Sequence, residues 1–150
     1  MTLAFWTRYD GSGYDERLFA TVRVSTDSGA TWIDGGTLPT SANGDAGDPV
    51  LARDTVSGRT YFATLAFTFL TLPIFRSDDN GGTWQAPVDG ASGFGGGDFL
   101  DKEWLTVDNF AGAGQGTVYL VFRNFAGGGV GSQPNGIYIF KSTNQGASFG

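Results

Sequence analysis

Three acidic and two basic residues lie between positions 98 and 123 of the chain and could support acid–base chemistry on a polar substrate. Asp101 and Glu103 are separated by one residue, so an extended strand would point both carboxyl groups to the same side. Two carboxyl groups can serve as acid and base in glycoside hydrolysis, which makes this pair the candidate catalytic residues. Arg123 can bind a substrate carboxylate through its planar guanidinium, and Asp98 and Lys102 complete the candidate substrate-binding set.

Each of these residues also has a purely structural interpretation. Asp101 and Asp48 could each cap the turn that enters its strand, and Lys102 could pair with a neighbouring carboxylate. Trp104 could pack between sheets rather than support a sugar ring. The sequence leaves both interpretations open.

The composition excludes several other kinds of site. The 150 residues contain neither cysteine nor histidine, which removes disulfides, thiol nucleophiles, Ser-His-Asp triads and the usual zinc sites. Nine basic against fifteen acidic residues give a net charge of -6, which disfavours binding to phosphate backbones. We therefore expect no cofactor, no metal and no nucleic-acid partner.

The elements that would position the candidate residues are short strands. Glycine accounts for 25 residues without a collagen-like period, and its combination with Val, Thr, Phe and Tyr is typical of strands joined by tight turns. The longest apolar run, Tyr61 to Phe75, is too short for a membrane span and contains Pro73. It predicts the two strands of a hairpin. The predicted fold class is all-β, without a membrane span.

An eight-residue pattern occurs three times, as STDSGATW from Ser25, SDDNGGTW from Ser77 and STNQGASF from Ser142. Apolar residues at alternate positions precede each copy, which indicates that each copy follows a strand. The copies recur at intervals of roughly 50 to 65 residues, the range typical of propeller and solenoid repeats.

The similarity between repeats extends upstream of the eight-residue pattern. DPVLARD at 48–54 corresponds to KEWLTVD at 102–108, and RTYFATLAF at 59–67 corresponds to TVYLVFRNF at 117–125. Each unit therefore has three predicted strands before the pattern and a fourth that starts at its Trp or Phe.

Four-stranded antiparallel units at this spacing predict the blades of a β-propeller. The first unit lacks its first strand and the last stops before its fourth, so the strands number three, four and three. This gives about three blades, two of them incomplete, with approximate boundaries 1–44, 45–92 and 93–150. Three blades cannot close a ring of the usual ~4–8, so we expect the chain to be part of a larger ring. A three-blade protein that completes a ring by dimerisation is the alternative.

The repeated pattern itself predicts a hydrogen-bonded turn rather than a catalytic site. Its Asp can accept amide hydrogen bonds inside the turn, its Gly can take a positive φ, and its Trp can cover the hairpin. The third copy replaces the Asp by Asn144 and so drops the charge, which a catalytic carboxylate would not tolerate. The residues assigned this structural role are Ser25, Asp27, Gly29, Thr31, Trp32, Ser77, Asp79, Gly81, Thr83, Trp84, Ser142, Asn144, Gly146, Ser148 and Phe149.

These repeats resemble a known family. STDSGATW and SDDNGGTW match the Asp-box, or bacterial neuraminidase repeat, and the DKEWLTVD and GTVYLVF stretches resemble blades of sialidase-like propellers. The resemblance covers essentially the whole chain. It implies a secreted, extracellular or periplasmic protein whose partners are glycans or glycoconjugates and the remaining blades of the same propeller.

The resemblance implies two kinds of function. The first is an exo-α-sialidase-like glycoside hydrolase, of which this chain alone would be an inactive part. The second is a non-catalytic propeller that binds carbohydrate or protein. The opening Phe/Tyr-Arg-Ile-Pro motif of sialidases is absent, and LPIFR at 72–76 has a different order. No catalytic residue can therefore be transferred by motif.

Two glycine-rich stretches predict which face would hold a site. If the strands of each blade alternate in direction, the repeated turns lie on one face, and the stretches 91–104 and 125–136 open on the other. Long loops on one rim of a rigid scaffold are common binding sites. We expect the candidate residues to meet on this second face, with Tyr9 and Asp10 at the matching end of the first blade.

Overall fold

A computed structural model describes residues 2–8, 19–39, 47–66 and 71–150 of the chain. Within these ranges the chain forms ten β-strands and no helix. The strands are β1 (Thr2–Arg8), β2 (Phe19–Ser25), β3 (Ile33–Thr37), β4 (Gly47–Arg53), β5 (Thr60–Leu65), β6 (Pro73–Ser77), β7 (Val88–Asp89), β8 (Phe99–Val107), β9 (Val118–Phe125) and β10 (Gly136–Ser142).

The described strands form three antiparallel sheets, ordered β1-β2-β3, β4-β5-β6-β7 and β10-β9-β8. Each strand pairs with its neighbour in the sequence, so the chain runs up and down within each sheet. The all-β prediction is confirmed, and the three sheets have the three, four and three strands expected from the repeats. The hairpin predicted within Tyr61 to Phe75 is formed by β5 and β6.

The last strand of the second sheet starts later than predicted. We expected it to begin at Trp84, but β7 comprises only Val88–Asp89. The Gln85 amide still donates a hydrogen bond of 2.8 Å to the Arg76 carbonyl. Pro87 follows and has no amide hydrogen, so it cannot extend the ladder.

The three repeated turns are closed by matching hydrogen bonds. In the second turn the Ser77 hydroxyl accepts a hydrogen bond of 2.7 Å from the Gly81 amide and donates one of 2.8 Å to Asp79. The Asp79 carboxylate also accepts the Thr83 amide at 2.7 Å, and this amide bond is the main reason that the pKa of Asp79 is lowered. The same positions are joined in the first turn and, with Asn144 as the acceptor, in the third.

The main hydrophobic core lies between the second and third sheets. Tyr61 of β5 and Phe122 of β9 are among its largest fully buried side chains. A smaller cluster on the other face of the second sheet contains Leu38, Phe62 and Phe75. Tyr61 and Phe62, which are neighbours in β5, belong to different clusters, so the second sheet is covered on both faces.

The third sheet is covered on only one face by the described residues. Its other face carries Trp104, Ile137 and Ile139, whose side chains are 64%, 74% and 70% exposed. Large apolar side chains on one continuous sheet face are unusual for a surface in contact with water.

Candidate functional site

The candidate residues lie at the end of the third sheet that is opposite its repeated turn. That turn begins at Ser142 of β10, which pairs with Val118 of β9. Asp101 of β8 pairs with Arg123 of β9 at the other end of the same strands. Tyr9 lies outside the described residues, and so does its neighbour Asp10.

A β-bulge separates Asp101 from Glu103. Asp101 pairs with Arg123 and Trp104 pairs with Val121, so three steps along β8 match two along β9 and β8 carries one extra residue. Lys102, in this bulge, has a left-handed φ of 58°. Glu103 consequently lies on the buried face and is 2% exposed, while Asp101 stays on the opposite face with its partner Arg123. The expectation that the two carboxyl groups share an orientation is wrong, because the bulge breaks the alternation on which it depended.

The first strand of the second sheet, β4, contains an equivalent bulge. The register of β4 shifts between Gly47 and Val50, and Asp48 has a left-handed φ of 49°. In the repeat alignment Asp48 corresponds to Lys102, so two equivalent non-glycine residues adopt the same disfavoured conformation. Such strain costs about 1 kcal/mol or more per residue and is concentrated at functional sites.

A pocket of about 290 Å³ lies between the two bulged strands. Its size is close to the lower limit of ligand pockets, about 300 Å³, which suits one small ligand. Three of its lining residues come from β4 and three from β8; they are Asp48, Pro49, Val50, Lys102, Glu103 and Trp104.

Among the titratable groups that line this pocket, Glu103 has the largest pKa shift. Both of its carboxyl oxygens are buried, and neither has a hydrogen-bond partner among the described residues. Burial raises the pKa of Glu103 from 4.5 to about 8. The residue's own backbone amide, outside hydrogen-bond geometry, and Lys102 oppose the rise, whereas the nearby carboxylates of Asp48 and Asp101 add to it. At neutral pH the side chain is therefore an uncharged carboxylic acid that can donate a proton.

Lys102 lies near the carboxylates of both Asp48 and Asp101 at the opening of the pocket. Its Nζ lies 3.7 Å from Oδ2 of Asp48 and 3.9 Å from Oδ1 of Asp101. The Lys102 side chain is 75% exposed, so these ion pairs contribute little to stability. Its backbone amide also donates a hydrogen bond of 2.9 Å to Asp101, which is the turn-capping contact of the structural interpretation.

Arg123 does not converge with Glu103. Its guanidinium lies 4.7 Å from the ring centroid of Phe125, a neighbour on the same face of β9, and the Phe99 and Phe125 rings are 6.1 Å apart. Phe122 and Asn124, which flank Arg123 in β9, are both buried on the opposite face. Arg123 and Asp101 thus share one face of the sheet, and Glu103 lies on the other.

Asp98 connects the two glycine-rich loops. Its buried carboxylate accepts hydrogen bonds from the amides of Gly127 at 3.0 Å and Gln133 at 2.8 Å, and from the Ser132 hydroxyl. Burial opposes ionisation, but the hydrogen bonds outweigh it and lower the pKa of Asp98 to about 2. These contacts position the loop 125–136 at the end of the sheet.

The two glycine-rich loops are packed backbone against backbone. The Gly129 amide donates a hydrogen bond of 3.0 Å to the Gly96 carbonyl. A Cβ added at Gly127 would lie 2.2 Å from the carbonyl carbon of Gly97, so no larger residue fits there without a backbone shift. The loops therefore form a compact rim.

Asp48 is the residue of this site that sequence reasoning missed. It was interpreted only as a possible turn cap, whereas it lines the same pocket as Glu103. The alignment of DPVLARD with KEWLTVD contained the signal, because it places Asp48 on β4 at the position that Lys102 has on β8.

Two other features are absent from the described ranges. No group of three or more Asp, Glu, Cys or His side chains could hold a metal ion there. Nor does any helix in those ranges have the length and apolar character to cross a membrane.

Comparison with known proteins gives a structural match. No family model matches the chain, and no curated protein does. Among solved structures the chain is similar to Hadza microbial sialidase Hz136, with a TM-score of 0.65 and 17% sequence identity over 98% of this chain. The match covers 34% of the sialidase chain, so this chain spans about a third of its length. At this identity the likeness concerns the fold alone, and it shows that the chain has a sialidase-like fold.

Proposed function

We propose that the chain is part of a sialidase-like β-propeller of the Asp-box family, with blades at 1–44, 45–92 and 93–150. The proposal is supported by three antiparallel sheets in sequence order, by matching hydrogen bonds in the three repeated turns, and by the equivalent bulges of β4 and β8.

The exposed face of the third sheet supports the presence of a further blade. In the repeat alignment Ile137 and Ile139 correspond to Leu72 and Ile74, and Trp104 corresponds to Val50. Those three equivalents are buried in the core between the second and third sheets. A fourth sheet packed in the same way would cover the exposed set, and the remaining blades of the same protein are the occupants that fit it.

Expression of the 150-residue chain alone tests this packing. We expect oligomers or aggregates by light scattering, and expect Ile139→Lys to reduce association because it places a charge on the apolar face. Val130→Lys, at a fully exposed loop position, is the control and should leave association unchanged. A sharply melting monomer of the unmodified chain would refute the proposal of a missing blade.

The proposed activity is glycoside hydrolysis, with Glu103 as the general acid. The observation that carries it is a buried, uncharged carboxyl group that lines a pocket between two inner strands. Glu103 would transfer its proton to the glycosidic oxygen as the bond to the sugar breaks. Asp48, the second carboxylate that lines the pocket, would stabilise the positive charge that develops on the sugar. Asp101, the partner expected from the sequence, lies on the other face of the sheet.

The remaining candidate residues would position the substrate. Lys102 forms ion pairs with the carboxylates of Asp48 and Asp101. Asp98 holds the loop 125–136 at the end of the third sheet, and Arg123 lies beside Asp101 on the exposed face of that sheet. The protein would act on extracellular or periplasmic glycans, and the chain alone would be inactive because other blades complete the site.

A non-catalytic glycan-binding propeller is the second candidate. One observation favours it: Asp101 and Glu103 lie on opposite faces of the sheet, so the predicted pair of carboxyl groups does not converge. A pocket with one uncharged acid can bind a sugar without cleaving it.

The two candidates are separated by turnover in the full-length protein that contains this chain. If it is a hydrolase, it should release the aglycone from some member of an aryl glycoside panel, and Glu103→Gln should lower kcat at least about 100-fold. Val56→Ala, at an exposed position in the turn between β4 and β5 at the other end of the sheet, is the control and should leave kcat unchanged. Glycan binding without any turnover would refute the hydrolase proposal and leave the binding propeller.

A further inference from the structure

We propose that a second pocket, on the face of the repeated turns, binds a sugar unit of a glycan through its hydroxyl groups. The pocket has a volume of about 350 Å³ and lies between the second and third sheets. Its walls come from residues that follow β4, residues that precede β9 and the third repeated turn. The polar side chains in it include Asp54, Ser57, Arg59, Gln115, Thr143 and Gln145.

This second pocket is separate from the pocket of Glu103. The Glu103 pocket lies near the starts of β4 and β8, whereas the second pocket lies beyond the ends of the same two strands. The inference therefore does not depend on the role of Glu103. The second pocket is built from the second and third repeats, both of which this chain contains.

Hydrogen bonds hold the walls of the second pocket together. Asn109 accepts a hydrogen bond of 2.7 Å from the Thr55 amide and donates one of 3.0 Å to the Arg53 carbonyl, which joins the segment before β9 to the segment after β4. Arg76 of β6 donates a hydrogen bond of 2.9 Å to the Gln145 carbonyl, which holds the third repeated turn against the second sheet. Walls fixed in this way form the pocket before a ligand binds, so little conformational entropy is lost on binding.

A carboxylate and a guanidinium are the charged groups that line this pocket. Asp54 is buried, and its carboxylate accepts hydrogen bonds from the Ser57 amide at 3.1 Å and from the Ser57 hydroxyl. Burial opposes ionisation, but the hydrogen bonds outweigh it and lower the pKa of Asp54. The Nε of Arg59 donates a hydrogen bond of 2.9 Å to Asp78, and this bond does not use the two terminal nitrogens. A charged acceptor and a charged donor can bind both functions of a sugar hydroxyl strongly.

Exposed polar side chains surround this charged pair, among them Gln115, Thr143 and Gln145. The two side-chain amides and the threonine hydroxyl can each donate and accept hydrogen bonds. Each hydroxyl of a sugar ring also donates and accepts, so an amide can satisfy two neighbouring hydroxyls at once. A volume of about 350 Å³ lies in the range of ligand pockets, which begins at about 300 Å³, and suits one sugar unit.

Labelled glutamine side chains test where the sugar binds. The full-length protein with nitrogen-15 in its glutamine side-chain amides is titrated at pH 7 with the methyl glycosides of glucose, galactose, mannose and N-acetylglucosamine. The signals that disappear in Gln115→Ala are those of Gln115. We expect them to shift in a saturable manner with at least one of the four sugars. Unchanged Gln115 signals with all four sugars would overturn the inference.

Thr143→Trp tests whether the sugar lies in the second pocket, because the larger side chain would fill it. The midpoint of the Gln115 titration should move to a sugar concentration at least about tenfold higher. Ala86→Trp, at an exposed position before the edge strand β7, is the matched control and should leave the midpoint unchanged. Thermal melts show whether both variants fold. An unchanged midpoint in Thr143→Trp would overturn the inference.

Thr143→Ala gives a second test that adds no bulk to the pocket. It removes one hydroxyl group and should weaken binding about twofold to tenfold, the effect of one lost hydrogen bond. Unweakened binding in this variant would contradict the role of the hydroxyl groups in recognition.

Glu103→Gln separates this inference from the proposed function. It should leave the Gln115 titration unchanged, because the two pockets lie at opposite ends of β4 and β8. A Gln115 shift that is lost in Glu103→Gln would overturn the second site and leave the proposed glycan site at Glu103 intact. A Gln115 shift in a protein without turnover would support the second site and refute the hydrolase proposal alone.

Discussion

Replacing Glu103 by glutamine should change how the stability of the chain depends on pH. The pKa of Glu103 is about 8 in the folded chain and about 4.5 when unfolded. The folded chain therefore holds a proton between these values that the unfolded chain has released. The free energy of unfolding should fall as pH rises through this interval, by about 1.4 kcal/mol per pH unit for this group. Between pH 5 and pH 8 the loss is at most about 4 kcal/mol.

Glu103→Gln removes this dependence without removing a hydrogen bond, since the carboxyl oxygens have no partner among the described residues. The neighbouring titratable groups, Asp48, Asp101 and Lys102, are the same in both proteins. The assay is urea unfolding of the protein and its variant at unit steps from pH 5 to pH 8. We expect similar stability near pH 5 and a variant that is increasingly more stable towards pH 8. Parallel curves across the whole range would refute the raised pKa and the general-acid assignment with it.

Two further predictions concern the scaffold. Asp79→Ala should lower the free energy of unfolding by about 1–2 kcal/mol because it leaves the Thr83 amide without its acceptor, whereas Asp79→Asn should cost less because Asn144 makes the equivalent bonds in the third turn. Thermal melts of both variants measure the difference, and equal losses would contradict the hydrogen-bond explanation. Gly127→Ala should destabilise the folded protein by about 1–3 kcal/mol because the added Cβ would overlap the backbone of the facing loop, whereas Gly95→Ala, whose Cβ would have its nearest contact at 3.7 Å, should be tolerated. Equal denaturation midpoints for the two variants would show that the loops are not packed as described.

The repeats made the sheets predictable from the sequence. Alternating apolar residues before Ser25, Ser77 and Ser142 predicted the strand that ends at each serine, and all three strands end there. The alignment of repeats predicted β4 and β5 from β8 and β9. Such local patterns are reliable because strand period and turn chemistry depend on neighbouring residues.

The candidate site was harder to predict because it depends on a one-residue irregularity. A strict period of two places Asp101 and Glu103 on one face, whereas the bulge at Lys102 places them on opposite faces. Lys102 is not a residue whose type favours a left-handed φ, so its identity gave no warning. The role of Asp98 was also not predictable, because its partners Gly127, Ser132 and Gln133 are about 30 residues away in the sequence.

The protonation state and ligand contact of Glu103 can be measured directly. In the full-length protein labelled with carboxyl carbon-13 glutamate, the signal that disappears in Glu103→Gln is that of Glu103. We predict that the Glu103 signal titrates with a midpoint near 8, stands at its protonated position at pH 7, and shifts when a glycan that binds the protein is added. A midpoint near 4.5, or a signal that does not respond to any glycan that binds the protein, would contradict the assignment of Glu103 to the glycan site.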